Sequence, residues 1–387
     1  MTMGFTSLDD LVTQISANGK YLRRDSAKLT SPVHTAGGWH STMGLAGNPV
    51  ASTFPGTSLL WQGCDENSGE GTNVFGIQNG GAPGGTATKH IINVGASIVA
   101  AAGAPWQLKL VDLQGYYRLA TTDVTGIGSR TLINTNTFTA SSSSGLLLTF
   151  TNDFASGTKV RFTTTTTLPT GLSLATDYWL VRVSSTTARV ATSYANYVAG
   201  TVVAYTDGGT GTHTLTIQMP RYANGVGCQA AFVVGTAPTL GGPNLSASSY
   251  TNSAGTPGCA FTGSPTMGAA ADAYAGRVLH SGNAAGRYGP FLPLAGGDTG
   301  IASVQSFTWS GGTAYTGTGV VALCIMRPLL DISIPVTGMW SERDLVNQLP
   351  SLPQVQDGAC LVWMLFGTGA TTTASPITSA IDFGWGG

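Results

Sequence analysis

Near the N-terminus the apolar positions follow a helical period. They recur three and four residues apart, as on one face of a helix, at Leu8, Leu11, Val12 and Ile15. Ser7 precedes the run as a good N-cap, and Gly19 suits the C-terminal cap. The polar side of this helix is short, so we expect it to lie against a neighbour, either in the same subunit or in another copy.

After this helix the pattern changes to short apolar runs rich in β-branched and aromatic residues. These runs are 91–94, 106–113, 230–234, 304–309, 320–326 and 360–366. Clusters of Gly, Pro and Asn separate them and are typical of turns. A short helix is expected over 341–349, ended by Pro350. The pattern predicts an all-β protein whose body is a β-sandwich or jelly roll with one N-terminal helix.

Residues 134–219 differ from the rest of the chain because they contain 22 threonines and only seven charged residues. Threonine suits a pleated, half-solvated strand face. Strand-like runs recur at 146–151, 159–164, 177–183, 188–192, 202–206 and 212–217. We therefore expect a small β-sandwich inserted into a main body formed by 1–133 and 220–387. Its expected core residues are Phe150, Val160, Phe162, Tyr178, Leu180, Val190 and Leu215.

Charge is scarce along the whole chain. Of 387 residues, 9% are charged and the net charge is −1, where about 25% charged is usual. The surface must therefore be uncharged polar and glycine-rich, or other subunits must cover much of it. A hydrophobic content of 42% excludes intrinsic disorder. The 17 scattered Lys and Arg residues argue against a basic face for nucleic acid.

The apolar stretches and the cysteines bear on location. The stretches at 91–105 and 359–366 are too short or too interrupted to cross about 30 Å of hydrocarbon, and Asp9 and Asp10 stand where the apolar part of a signal peptide would begin. The five cysteines form an odd set without CxxC spacing, at positions 64, 228, 259, 324 and 360. We expect free, structural thiols and synthesis in a reducing cytosol.

Residues that could carry chemistry do not form a recognisable constellation. His34 and His40 lack a nearby carboxylate, and His90, His213 and His280 stand alone, so we expect loop histidines, with His213 on the surface, and no metal site. No nucleophile, phosphate-binding or dinucleotide motif occurs. The sequence therefore predicts no catalytic, cofactor-binding or metal-binding residue.

Two acidic groups are candidates for the kind of carboxylate pair that glycosidases use. Asp65, Glu66 and Glu70 lie in a polar stretch that is typical of a solvated loop. Glu342 and Asp344 flank Arg343, which indicates a helix-surface ion pair or an intersubunit contact. Neither group is expected to be catalytic.

Most tryptophans occupy apolar or strand-like contexts, for which core packing is the expectation. These are Trp61, Trp106, Trp179, Trp309, Trp340, Trp363 and Trp385. Trp39, Tyr116 and Tyr117 are the aromatic residues that we expect to be exposed. They could stack on sugars or fill a pocket of a partner.

The 134–219 segment resembles the small Thr-rich β modules of tail, fibre and head-surface proteins of tailed bacteriophages. The resemblance rests on Gly157-Thr-Lys-Val-Arg-Phe162, Leu168-Pro-Thr-Gly-Leu172, Asp177-Tyr-Trp-Leu-Val181 and Asp207-Gly-Gly-Thr-Gly-Thr-His-Thr-Leu215. The flanking body, with Gly289-Pro-Phe-Leu-Pro-Leu294 and Asn347-Gln-Leu-Pro-Ser-Leu-Pro353, is similar to phage virion proteins. The resemblance carries no catalytic residues.

This resemblance implies a non-enzymatic virion protein, foremost a head decoration or cement protein. Such a protein would act as a symmetric oligomer, with a trimer favoured, bound to the major capsid protein or other virion proteins. The insert would project outward. A tail, baseplate or fibre component, a host-glycan lectin and a polysaccharide-degrading enzyme remain alternatives. A major capsid protein is less well supported, because the familiar phage shell fold has a long spine helix and none is predicted here.

Overall fold

The computed structural model describes the 387-residue chain except for residues 1–4, 31–32, 68, 71–72, 75, 82, 84–86, 101, 103, 142–145, 240, 270–273, 283–285, 287 and 387. Within these described residues the α-helices are α1 (Leu8–Ser16), α2 (Thr121–Val124) and α3 (Tyr194–Val198). In the same ranges, 3-10 helices span Thr42–Gly44, Ala223–Gly225 and Val346–Ser351.

Strands dominate the described residues, which confirms the all-β prediction. In chain order they are β1 (Tyr21–Leu29), β2 (Trp39–Ser41), β3 (Gly47–Asn48), β4 (Trp61–Gly63), β5 (Gly69–Glu70), β6 (Asn73–Val74), β7 (Ile77–Gln78), β8 (Thr88–Ile98), β9 (Trp106–Leu119), β10 (Gly128–Thr131), β11 (Thr135–Ser141), β12 (Leu147–Phe150), β13 (Lys159–Thr164), β14 (Asp177–Ser184), β15 (Thr187–Ala191), β16 (His213–Ile217), β17 (Gln229–Thr236), β18 (Asn244–Asn252), β19 (Ile301–Ser310), β20 (Val320–Ile334), β21 (Ser341–Asp344), β22 (Gln354–Val355), β23 (Cys360–Gly367) and β24 (Pro376–Gly386). All six apolar runs predicted outside the insert lie within strands.

Two antiparallel sheets form the body. Sheet I has the order β21–β8–β24–β1–β3, with β22 also paired to β8, and sheet II has the order β17–β20–β9–β23–β2, with β4 also paired to β9 and β7 to β23. The inner faces share one hydrophobic cluster, in which Val94 and Phe383 of sheet I pack with Leu110 and Trp363 of sheet II. The sandwich arrangement follows from this burial of two apolar faces against each other.

A three-stranded sheet of β10, β19 and β18 adds a third apolar layer. Phe307 and Trp309 of β19 contact the ring of Phe232 on β17, with ring centroids 5.3 and 6.0 Å apart. β17 is an outer strand of sheet II. This small sheet therefore covers one end of sheet II with aromatic side chains.

Helix α1 lies on the outer face of sheet I. Ser7 accepts a hydrogen bond from the Asp10 backbone N–H as N-cap, and the chain turns after the helix at Gly19, whose φ is +63°. Leu11 is buried. A side chain at Gly384 would meet Ile15 and Ile92 within 3.6 Å, so glycine lets the helix approach the sheet. The predicted helix is confirmed, and one of its sides covers the same subunit.

The Thr-rich segment forms a closed barrel and not the predicted sandwich. Its six strands pair in the order β11–β12–β15–β14–β13–β16, and β16 pairs again with β11. Every predicted core residue of the segment is buried. The prediction missed β11 in a Ser/Thr-rich stretch, and it placed a strand over 202–206 that the structure lacks. The extra strand β11 closes the sheet and leaves no free edge.

Threonines face one another on the outside of the barrel. Thr135 pairs with Thr216, Thr137 with Thr214, and Thr139 with Thr149. The alternate residues point inward, because successive side chains of a strand face opposite sides. His213 is therefore buried, where it bonds Thr164 Oγ1 through Nδ1 at 2.9 Å, and the prediction of a surface histidine is wrong.

The two ends of the barrel meet at its base, where the backbone N–H of Ile217 donates to the carbonyl of Asn134 at 2.9 Å. The barrel core continues into the body, because Leu60, Trp61 and Tyr117 belong to the same apolar cluster as Phe138 and Phe162. The division into a body and an independent inserted domain stays a prediction.

The segment over 341–349 is not one helix. Ser341–Asp344 is strand β21 and pairs with β8, so Glu342 and Asp344 lie on a sheet and not on a helix. The 3-10 helix Val346–Ser351 follows and contains Pro350. The free edge of β8 offers hydrogen bonds along its length, which outweigh a local preference for helix.

Candidate interaction surface

Six of the twelve large apolar side chains that are exposed on the described part of the body lie at one end of sheet I. Strand pairing places the end of β1 beside the start of β24, because Leu29 pairs with Pro376. Pairing likewise places the end of β8 beside the start of β24 and of β21. We define the sheet-end patch as six residues at these strand ends and adjoining turns: Leu29, Val50, Val99, Val336, Met339 and Trp340.

The sheet-end patch exposes large apolar side chains to solvent. Met339 is 63% exposed and Trp340 45% exposed. Large aromatic and Met side chains are enriched at protein interfaces, and contiguous apolar surface marks interaction sites. This end of sheet I is therefore the candidate interaction surface.

Trp340 packs directly on the backbone of Gly95. A Cβ atom at Gly95 would lie within 2.6 Å of three ring atoms of Trp340. The indole can therefore pack here only because residue 95 of β8 is a glycine. Between Trp340 and β1 runs a groove of about 370 Å³ that is lined also by Arg23, Asp25 and Asn48. The prediction that Trp340 is a core residue is wrong. Its indole packs on β8 at Gly95 and remains 45% exposed.

Helix α1 presents a second, smaller apolar surface. Leu8 and Val12 are 47% and 54% exposed, although Leu11 on the neighbouring face is buried. Residues i and i+4 lie on one side of a helix. The helix therefore has an apolar side that the described part of its own subunit leaves uncovered.

Part of the small number of charged residues is buried. Eight charged residues are buried among the described residues: Lys28, Asp65, Glu66, Lys89, Asp112, Arg221, Arg277 and Asp382. Four are acidic and four are basic. Burial of these groups reduces further the small number of charges available to an accessible area of 14,722 Å².

A polar network lies between the sheet-end patch and the helix. Asp382 accepts a hydrogen bond from the Tyr21 hydroxyl at 2.6 Å and from Asn93 Nδ2 at 3.1 Å. Burial and the Asp382 carboxylate raise the pKa of Tyr21. Asn93 Nδ2 also donates to Glu342. Glu342 thus belongs to this network. The expected helix surface is wrong, because Glu342 lies in strand β21, and the intersubunit contact stays a prediction.

The histidines expected in loops are largely buried. His34 Nδ1 and His40 Nε2 lie 3.1 Å apart, and His40 Nε2 also contacts the Tyr274 hydroxyl. Burial lowers the pKa of His34 to about 4, of His280 to about 3, and of His40 well below its usual value. Low pKa values keep these rings uncharged near neutral pH. Within the described ranges, no three His, Cys, Asp or Glu side chains are grouped to hold a metal ion.

Asp65 and Glu66 are buried and do not lie in a solvated loop as predicted. Asp65 Oδ1 accepts from the backbone N–H of Asn67 at 2.8 Å, and its charge contributes to a raised pKa of Tyr197 on α3, after burial as the larger cause. The side chain of Glu70 lies outside the described residues. Because barrel helix α3 stands over this loop, the two carboxylates are shielded from water.

A buried ion pair joins the chain just after the insert to sheet II, and sequence reasoning missed it. Arg221 Nε donates to Asp112 Oδ2 at 2.9 Å and Nη2 donates to Oδ1 at 2.7 Å. Nη1 also donates to the Cys64 carbonyl at 2.7 Å. In a chain with few charges, an acid inside a strand-like run and a base just after the Thr-rich segment are the available signals.

The five cysteines are free thiols, four of them buried and Cys259 half-buried. Burial raises the pKa of Cys64, Cys324 and Cys360 far above the usual value, which makes these thiols unreactive. Among the aromatic residues expected to be exposed, Trp39, Tyr116 and Tyr117 are all buried. The expectation that these three residues are exposed is wrong, so in this structure they neither present a face for sugars nor reach into the pocket of a partner.

Comparison with known proteins does not assign a family. No family model matches the chain, and no curated protein matches it. Two solved structures of the infectious bursal disease virus VP2 protein align at 12% identity, one a mutant in T=1 particles and one a subviral particle. They cover 78% of this chain and 79% and 82% of theirs, with TM-scores of 0.11 and 0.12. These scores are too low to indicate a shared fold. Among the described residues, no helix has the length and apolar character needed to span a membrane.

Proposed function

We propose that this chain is a non-enzymatic structural protein of a tailed-bacteriophage particle, foremost a head decoration or cement protein. The observation that carries the proposal is the sheet-end patch on a surface with few charges. Net charge near zero favours association, and a patch that lies at the axis of a symmetric ring meets the same patch of every other copy. We infer a closed ring of copies, with three favoured.

Such a protein binds by area. A cyclic oligomer presents several copies of one weak contact to a symmetric shell, and simultaneous attachment raises the overall affinity by about 10²–10⁴-fold without strong individual contacts. The major capsid protein or another virion protein is the proposed partner. Nucleic acid and membranes are not. The protein is made in the bacterial cytoplasm and resides on the virion.

The barrel is the part proposed to project from the particle. Its outer surface consists largely of threonines, which hold water without charge, and its closed sheet leaves no strand edge that would recruit other chains. These properties suit an exposed module beside many identical neighbours.

An image of intact particles labelled with an antibody against the barrel tests the proposal. Label distributed over the head supports a decoration protein. Label confined to the tail supports the alternative of a tail, baseplate or fibre component, and particles without label contradict the virion proposal.

The groove beside Trp340 favours a second function, the binding of host glycans. An exposed indole can stack on a sugar ring, and Arg23, Asp25 and Asn48 offer hydrogen-bonding groups beside it. Binding to a glycan array that Trp340→Ala abolishes without changing the oligomeric state would support this function. If neither the wild-type protein nor Trp340→Ala binds glycans, and Trp340→Ala no longer assembles, the result would support an oligomer interface at Trp340.

A further inference from the structure

The side chains of Asn79 and Lys89 meet in the interior between the two sheets. Asn79 is 0% exposed and Lys89 is 3% exposed. Lys89 Nζ donates to Asn79 Oδ1 at 2.9 Å and to the Asn79 backbone carbonyl at 2.6 Å. Asn79 Nδ2 points the other way and donates to the Ala359 carbonyl at 2.9 Å. The amine is thus held at the carbonyl of the side-chain amide.

Burial favours the uncharged form of the amine, whereas the nearby ring faces and the carbonyl oxygens of Asn79 and Gly81 stabilise its charged form. The ring centroids of Phe383 and Trp385 lie 5.9 and 5.8 Å from Nζ. Burial lowers the pKa of Lys89, and the charges of Glu66 and Asp357 only partly oppose that effect. A lysine that is desolvated in this way is a nucleophile, because the free amine carries the reactive electron pair.

A carboxylate, that of Glu66, lies close to Asn79 and Lys89. Glu66 is buried, and its Oε2 accepts hydrogen bonds from the backbone N–H groups of Gly80 and Gly81 at 2.9 and 3.0 Å. These two residues follow Asn79 directly. The carboxylate is therefore fixed beside the reacting pair, and a positioned carboxyl group is a common proton-transfer group.

We propose that Lys89 and Asn79 join through an intramolecular isopeptide bond, with Glu66 as the proton-transfer group. Lys89 Nζ forms a bond to Asn79 Cγ, and the Cγ–Nδ2 bond breaks. One proton passes from Nζ to Nδ2 through the Glu66 carboxylate, and Nδ2 leaves as ammonia. The step is neither an oxidation nor a reduction and needs no co-reactant.

The bond would join the two sheets covalently. Asn79 directly follows β7, which pairs with β23 in sheet II, and Lys89 lies in β8 of sheet I. The sandwich could then resist forces that pull its layers apart. This inference does not depend on the proposed function, because the mass measurement below reports only on the chemistry.

The direct test is the intact mass of the denatured wild-type protein. Loss of one ammonia lowers the mass by about 17 Da relative to the sequence. Tryptic digestion places the change, because Lys89 is the single tryptic site between Lys28 and Lys109. A joined Lys89 gives one uncleaved peptide over 29–109. The full sequence mass together with cleavage after Lys89 would overturn the proposal.

A succinimide at Asn79–Gly80 would lose the same mass, so Lys89→Arg is needed as a discriminating variant. Arginine keeps a positive side chain but cannot form the bond, and we expect this variant to show the full mass. A mass deficit that persists in Lys89→Arg would overturn the proposal in favour of the succinimide.

Lys28→Arg is the matched control. Lys28 is the other buried lysine, and within the described part of the chain its Nζ donates to the backbone carbonyls of Leu45, Pro49 and Val50 and to no side-chain amide. Its replacement should keep the mass deficit. Glu66→Gln should restore the full mass, and a deficit that survives Glu66→Gln would overturn the role of Glu66.

Discussion

Arg221 and Asp112 form a two-point ion pair that fixes the returning end of the barrel to the centre of sheet II. Both side chains are buried, at 5% and 0% exposure. Asp112 Oδ1 also accepts from the Cys360 backbone N–H at 3.0 Å. The carboxylate thus connects β9, β23 and the chain that leaves the barrel. Because each partner is held by further hydrogen bonds, neither charge is left unsatisfied.

Removal of one partner should destabilise the protein strongly. Asp112→Asn leaves the Arg221 charge buried without its counterion, which costs about 3–5 kcal/mol of the free energy of unfolding. Urea denaturation followed by tryptophan fluorescence measures the change. Asp153→Asn is the control, because Asp153 pairs with Arg182 at the surface, and such pairs contribute about 1 kcal/mol or less. Equal losses in the two variants would contradict a special role for the buried pair.

Acid should destabilise the fold in a window set by the buried histidines. The pKa of His34 is lowered to about 4 and that of His280 to about 3, whereas the unfolded chain binds these protons near pH 6.5. Since the unfolded state binds more protons, the free energy of unfolding decreases as the pH falls below about 6.5, by up to about 1.4 kcal/mol per pH unit for each histidine.

The measurement is urea denaturation between pH 7 and pH 5, a range above the usual titration of carboxyl groups. His280→Gln should reduce the slope of stability against pH by about one proton. A stability that does not change over this range would contradict the burial of these rings.

Reducing agent should leave the melting temperature unchanged, because the thiols are unpaired and Cys64, Cys228, Cys324 and Cys360 lie within the apolar core. A buried thiol behaves as a small apolar side chain. Differential scanning fluorimetry with and without a phosphine reductant measures this. A decrease of several degrees would reveal a disulfide bond.

Deletion of the barrel tests whether it is a separate unit. Residues 135–217 are replaced by a short Gly/Ser linker, which is possible because the ends of the barrel meet. Asn134 is kept, since it accepts from the Tyr117 hydroxyl at 2.6 Å and donates to the Val304 carbonyl at 2.7 Å. Arg221 remains in place. We expect a folded body that still assembles.

The deletion could destabilise the body, because Trp61 shares an apolar cluster with barrel residues and would become partly exposed without them. Circular dichroism of the isolated barrel segment complements the deletion. Insoluble body protein together with an unfolded isolated segment would contradict the independence of the two parts.

Local patterns in the sequence predicted the helices and strands themselves better than they predicted which strands pair with each other. The period of Leu8, Leu11 and Ile15 and the cap at Ser7 set α1 because both signals act within a few residues. The closure of the barrel depends on the pairing of β16 with β11 and β13, distant strands that no local signal joins.

The sequence also did not predict which individual side chains are buried. Asp65 lies in a stretch rich in Gly, Asn and Ser, yet the barrel helix covers it. Trp340 directly precedes a strand and was expected in the core. It lies at the surface instead, because Gly95 of β8 has no side chain and the indole can pack on its backbone. In each case the deciding contact comes from a part of the chain far away in sequence.

The central claim, assembly through the sheet-end patch, is tested most directly by sedimentation equilibrium at micromolar concentration and physiological salt. We expect the wild-type protein to sediment as a closed oligomer, with a trimer favoured, and Met339→Asp to sediment as a monomer, because the new charge would be buried in the interface. Leu174→Asp, at an exposed apolar position of the barrel, should remain oligomeric. A stable, soluble wild-type monomer under these conditions would contradict the account.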